Sequence, residues 1–100
     1  MKITITETDG KMVAALSGEL DTAAAVEMEA ALQPLFDSNG KDVILDCTDL
    51  EYIASSGLRI LLNLLKKVNA GGSRIVLKNV NEVIRDVFEI TGFVSLFEFE

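Results

Sequence analysis

The chain has no histidine, one cysteine and one proline, and only nine basic side chains against sixteen acidic ones. Without histidine a Ser-His-Asp triad cannot be assembled. Cys47 alone cannot form an internal disulfide, which favours a reducing compartment; at a strand end it reads as a small buried hydrophobe. One cysteine and scattered carboxylates give no recognisable metal-ligand spacing, so no metal and no cofactor are expected. The formal charge of −7 repels phosphate backbones and anionic lipid head groups, which sets nucleic acid aside as a ligand. No window is apolar enough to span a bilayer, and the N-terminus has no apolar signal-peptide stretch. A cytoplasmic protein is expected, taken to any membrane by a partner.

What is present is ordinary globular composition. Of the 100 residues, 49% are hydrophobic and 25% charged, enough for one compact domain over residues 1–100 that folds unaided. Ile3 and Ile5 alternate with threonines up to Asp9-Gly10, a tight-turn signal, and Met12 to Leu16 resumes an apolar strand, which predicts a hairpin. Ser17 to Thr22 leads into an alanine-rich helix with Met28, Leu32, Leu35 and Phe36 on one face and Asp21 or Thr22 as its N-cap. Pro34 must kink that helix or end it near Gln33, and Asn39-Gly40 breaks the chain. Val43-Ile44-Leu45 reads as a short buried parallel strand.

A second helix follows from Leu58, with Leu61, Leu62, Leu65 and Val68 inward and Arg59, Asn63, Lys66 and Lys67 outward. Ile60 and Leu64 widen its apolar sector beyond what one sheet covers, so a neighbouring helix or a partner must cover the excess. Gly71-Gly72 stops this helix and does not form a phosphate loop, because it follows a helix and precedes a strand. Ile75-Val76-Leu77 predicts another strand. Asn79 with Glu82 resembles a capping box for a third helix with Val83, Ile84, Val87 and Phe88 inward. Phe93 to Phe99 alternates as a final edge strand guarded by glutamates. The expected fold is an α/β domain with a mixed sheet, in the order β-β-α-β-α-β-α-β.

The functional suspect is the turn before the second helix. Ser55 and Ser56 stand at a helix start, where unpaired N–H groups and the positive end of the macrodipole favour a capping hydroxyl or a bound phosphate. A right-handed crossover sets this turn at the carboxyl edge of the sheet, where open α/β sheets bind ligands. The surroundings of Ser55 lack the first glycine of a nucleophile elbow. Asp46 and Asp49 lack the second acidic cluster and following lysine of a receiver-type phosphoacceptor. The chain is therefore not read as an enzyme.

Three stretches in this order, GELD at 18–21, DLEYIASSGLR at 49–59 and ITGFVSLFEF at 90–99, resemble the STAS family of anti-sigma factor antagonists, and the resemblance covers essentially the whole chain. It implies a serine acceptor two positions before the motif glycine, which is Ser55, with Ser56 as its neighbour. It further implies that the unphosphorylated form binds an anti-sigma factor that is also a serine kinase and so frees sigma factor. A PP2C-type phosphatase would reset the switch. The implied partner surface comprises Asp21, Thr22, Ala54, Ser56, Gly57 and Arg59, although capping of the first helix accounts for Asp21 equally well. Ala54 departs from the family, which usually carries a polar residue there, often aspartate; the change bears on kinase recognition and leaves the hydroxyl in place. The alternative is a non-switching STAS docking subunit of a lipid or solute transport complex, with which Ala54 and the broad apolar helix are compatible.

Overall fold

A computed structural model describes residues 2–37 and 40–100, so the expected break at Asn39 lies outside the described residues. Strands β1 (Lys2–Thr8) and β2 (Lys11–Leu20) form an antiparallel hairpin. Its turn holds Asp9 at φ 53° and Gly10 at φ 75°, the double left-handed conformation that matches strand twist in two-residue hairpins. Helices α1 (Ala25–Ala31) and α2 (Gln33–Phe36) follow. They are two pieces because the chain breaks at Leu32, with Pro34 in the first turn of α2, where its missing N–H costs nothing.

Then come β3 (Val43–Ile53), α3 (Ser55–Ala70), β4 (Ile75–Lys78), α4 (Glu82–Ile90), a 3₁₀ turn (Phe93–Ser95) and β5 (Glu98–Phe99). The sheet order is β1-β2-β3-β4-β5, antiparallel only between β1 and β2 and parallel elsewhere. The expected mixed α/β architecture is present. One sheet face carries Ala14, Leu16, Val43, Leu45, Cys47, Ile75 and Leu77, all buried against the helices. The alternate positions Val13, Ile44 and Val76 are only half-buried. On α3, the broad apolar sector is covered from inside the domain: α1 and α2 pack against this helix, and Ile60, Leu61, Leu64 and Leu65 are all buried.

Four expectations need correcting. The third strand does not end at Leu45 but runs to Ile53. Its register against β2 slips between Ala15 and Ser17 and again between Gly18 and Glu19. Each slip inserts one extra residue into β3, so its buried positions pass from Leu45 and Cys47 to Leu50 and Ile53 and the alternation of a plain strand disappears. Cys47 consequently lies in mid-strand. Secondly, α4 is capped not by Asn79 but by Asn81, whose Oδ1 accepts the Ile84 N–H at 2.8 Å. Thirdly, Val83 points outward, 59% exposed, while Ile84 and Phe88 are buried. Lastly, the final segment is mostly not a strand: Gly92 at φ 79° turns the chain into the 3₁₀ turn. Only Glu98 and Phe99 pair with β4. Phe88 captures this tail, with edge-to-face contacts to Phe97 and Phe99 at 5.3 and 5.4 Å.

Candidate functional site

The parallel strands β2 and β3 end side by side, and a backbone hydrogen bond joins their exits: the Ala54 N–H donates to the Leu20 carbonyl at 2.8 Å. Asp21 follows directly on one side and Ser55 on the other, so the two sequence-distant segments meet at this edge. Ala54 is the N-cap of α3, in extended conformation (φ −88°, ψ 167°) and with no side-chain cap. The Leu58 N–H is taken up by the Ala54 carbonyl at 3.0 Å; the N–H groups of Ser55, Ser56 and Gly57 precede it in the first turn, where a helix has no internal acceptor for them.

The two serines are not equivalent. Ser55 is exposed at the first helical position, whereas the Ser56 hydroxyl is buried and has no hydrogen-bond partner. Neither caps the helix, which corrects the capping expectation. The hydroxyl open to solvent and adjacent to the free N–H groups is that of Ser55. Gly57 is buried because α3 starts against the sheet: a Cβ there would lie 3.1 Å from Ile53 Cγ1 and 3.4 Å from the Leu20 carbonyl oxygen. Arg59 is exposed one turn after Ser55, on the same helical face.

Asp21 caps the turn ahead of α1. Its Oδ1 accepts the Ala24 N–H at 2.8 Å and its carbonyl accepts that of Ala25 at 3.1 Å. The N-cap of α1 itself is Ala24, with no side-chain cap, so neither expected residue holds that position: Asp21 caps the preceding turn, and Thr22 is an exposed turn residue beside it. Glu19, Asp21, Glu27 and Glu51 share a shallow concavity of about 400 Å³ with Gly18 and Ala23. Sequence reasoning missed Glu27 and Glu51 as neighbours of Asp21. The acidic residues of GELD and of the DLEYI stretch were visible, but the strand pairing that unites them was not.

Behind this edge, Asp46 accepts hydrogen bonds from the Thr48 amide at 3.1 Å, the Thr48 hydroxyl at 2.5 Å and Asn79 Nδ2 at 3.3 Å. Asn79, at φ 60°, also donates to Thr48 Oγ1 at 3.0 Å, and Asn81 Nδ2 donates to the Leu50 carbonyl at 3.0 Å. These bonds tie the irregular part of β3 to the entrance of α4. The Thr48 hydroxyl and amide hold the Asp46 carboxyl below its ordinary range, against the opposing effect of burial and with smaller help from Asn79 and Lys78. Cys47 is buried and its thiol is pushed up to about 12, by burial first and then by the Asp46 charge; it is an unreactive core side chain. Among the described residues there is no cluster of side chains placed to hold a metal ion, and no helix long and apolar enough to cross a membrane.

Comparison with known proteins gives a consistent picture. A family model described as STAS domain matches residues 2–100. BtrV of Bordetella bronchiseptica is 38% identical over 97 residues, covering 97% of this chain and 84% of that protein. The anti-sigma-B factor antagonist of Staphylococcus aureus is 30% identical over 81 residues, 81% of this chain and 75% of its own length. Among solved structures, the anti-sigma factor antagonist SpoIIAA in its unphosphorylated form superposes with a TM-score of 0.81 at 23% identity, over 99% of this chain and 88% of that one. The phosphorylated Bacillus SpoIIAA superposes at 0.74 and 24% identity, over 99% and 91%.

Proposed function

The chain belongs to the STAS domain family, and from that premise we propose that it is an anti-sigma factor antagonist, a regulatory binding protein rather than an enzyme, switched by phosphorylation of Ser55. The observation that carries the reading is the asymmetry of the two serines: an exposed Ser55 at the first position of α3, beside a Ser56 whose hydroxyl is buried. The names of the relatives support the antagonist role.

In this reading the unphosphorylated edge around Ser55, with exposed Thr22 and Arg59 and half-buried Asp21 and Ala54, docks on an anti-sigma factor with serine kinase activity and so releases sigma factor; Gly57 and the Ser56 hydroxyl are buried and shape the edge from within. Phosphorylation adds about −1.5 to −2 charges at a helix N-terminus, with Arg59 one turn away, so the domain itself tolerates the group. A partner docked there must desolvate the phosphate, at the edge where the Asp21 segment meets the start of α3. A loss of about 3 kcal/mol weakens binding more than a hundredfold. A PP2C-type phosphatase resets the switch, and the exchange takes place in the cytoplasm. The docking-subunit alternative loses one of its supports, since the broad apolar sector of α3 is covered by α1 and α2.

The test is purification of the tagged protein from its own host, with mass spectrometry of bound partners and of the Ser55 peptide. A co-purifying kinase-like ATPase with partly phosphorylated Ser55, and constitutive binding by Ser55→Ala, are the expected results. Transport-complex subunits with unmodified Ser55 would overturn the proposal.

A further inference from the structure

We propose that the free edge of β1 is a self-association surface, on which a second copy of this chain pairs antiparallel to extend the sheet across a twofold axis. The two edges of the sheet are built differently. At one end, β5 offers only two residues and is flanked by charge: Arg74 pairs with Glu98, and Lys78 with Glu100 at 3.7 Å. Short, charged edges of this kind resist further pairing. At the other end β1 is seven residues long, in unbroken register with β2 from Lys2 to Thr8. Its central run Ile3 to Thr6 has no charge, no proline and no bulge, and among the described residues no strand pairs with its outer side.

The side chains also point to a copy of itself as the occupant. Ile3 and Ile5 face the core side at the margin of the sheet but are only partly buried. Their strand neighbours Leu16 and Ala14 on β2 are fully covered. A twofold axis perpendicular to the sheet pairs residues of equal parity, because each must keep its face. Centred on Thr4, it sets Ile3 against Ile5 of the second copy twice over, Thr4 against Thr4, and Lys2 against Thr6. Cross-strand aliphatic and Thr–Thr pairs are favourable contacts, and Glu7 stays outside the paired segment. Centring on Ile5 instead would set Glu7 against Ile3, which disfavours that register. Pairing of about five residues buries less than the ~1,200 Å² of a standard stable interface, so the dimer is weak and forms only at high protein concentration. The surface is separate from the Ser55 edge, which lies where β2 and β3 end, and does not depend on the functional reading.

The test uses the full chain in about 0.3 M salt, to screen the repulsion between two acidic copies. Sedimentation is expected to show the mass doubling with concentration. Thr4→Cys should give an oxidised dimer, since facing Cα atoms about 4.5–5.5 Å apart lie within disulfide range; Cys47, buried, does not compete. Thr8→Cys is the control, because in this register the two Thr8 positions are offset by about 27 Å. Crosslinking at least tenfold faster at position 4 supports the proposal; equal rates, or a monomer up to about 1 mM, overturn it. Thr4→Glu and Thr4→Lys should both weaken association at least tenfold at unchanged melting temperature, since each sets like charges face to face. Strengthening by Thr4→Lys would show that only net charge matters and would overturn the register.

Discussion

The amide of Ala54 and the carbonyl of Leu20, 2.8 Å apart, make one unit of two segments that lie more than thirty residues apart in sequence. Gly57 packs against the same carbonyl, 3.4 Å from where its Cβ would sit. The position of Asp21 relative to Ser55 therefore depends on how closely α3 approaches the ends of β2 and β3.

Gly57→Ala tests this directly. Alanine is the better helix former by up to about 1 kcal/mol, but its Cβ would meet Ile53 at 3.1 Å, and Ile53 is 1% exposed with little room to yield. Overpacking of this kind costs about 1–3 kcal/mol. Urea unfolding should show a net loss of about 1 kcal/mol, and an unchanged or higher midpoint would mean that the helix does not need this close approach.

Asp21→Asn separates capping from docking. Asparagine retains an oxygen for the Ala24 N–H, so its stability should match the parent within a few tenths of a kcal/mol, whereas Asp21→Ala should lose about 1 kcal/mol. If Asp21 is also part of the partner surface, Asp21→Asn loses partner affinity at least tenfold with an unchanged melting temperature. Full affinity would leave the residue as a cap only.

Asp46 sets a pH dependence of known sign. Its carboxyl lies below the ordinary 3.8 in the folded protein, so the unfolded chain takes up the proton more readily. The stabilisation is complete well above pH 3.8 and fades as pH falls through the lower folded value. Asp46→Asn should flatten the stability profile below pH 3.8, measured by thermal melts in a buffer series. A profile as steep as the parent's would assign the acid sensitivity to other carboxylates.

Cys47, with its thiol pushed up to about 12, should resist alkylation at pH 8 in the folded protein and react fully in denaturant. Labelling is then limited by the rate of unfolding, and rapid modification of the native protein would contradict the buried placement.

Much of this was legible in the chain alone. Asp9-Gly10 specified its turn because that dipeptide tolerates left-handed backbone, and the Leu58 to Val68 spacing specified a helix. The three stretches around Gly18, Ser55 and Gly92 pointed to the family, and the family model matches residues 2–100. Tertiary structure decided the rest, wherever a residue's role depends on a partner distant in sequence. The β3 slips erased the alternation by which a strand is recognised, so its length followed only from pairing with β2. Asn81, not Asn79, caps α4 because Asn79 is drawn to Asp46 and Thr48. Adjacent serines look alike in sequence; which hydroxyl meets water was settled by the docking of α3 on the sheet, which buries the Ser56 hydroxyl and leaves Ser55 exposed. Sequence encodes local conformational preference, whereas burial is a property of the packed whole.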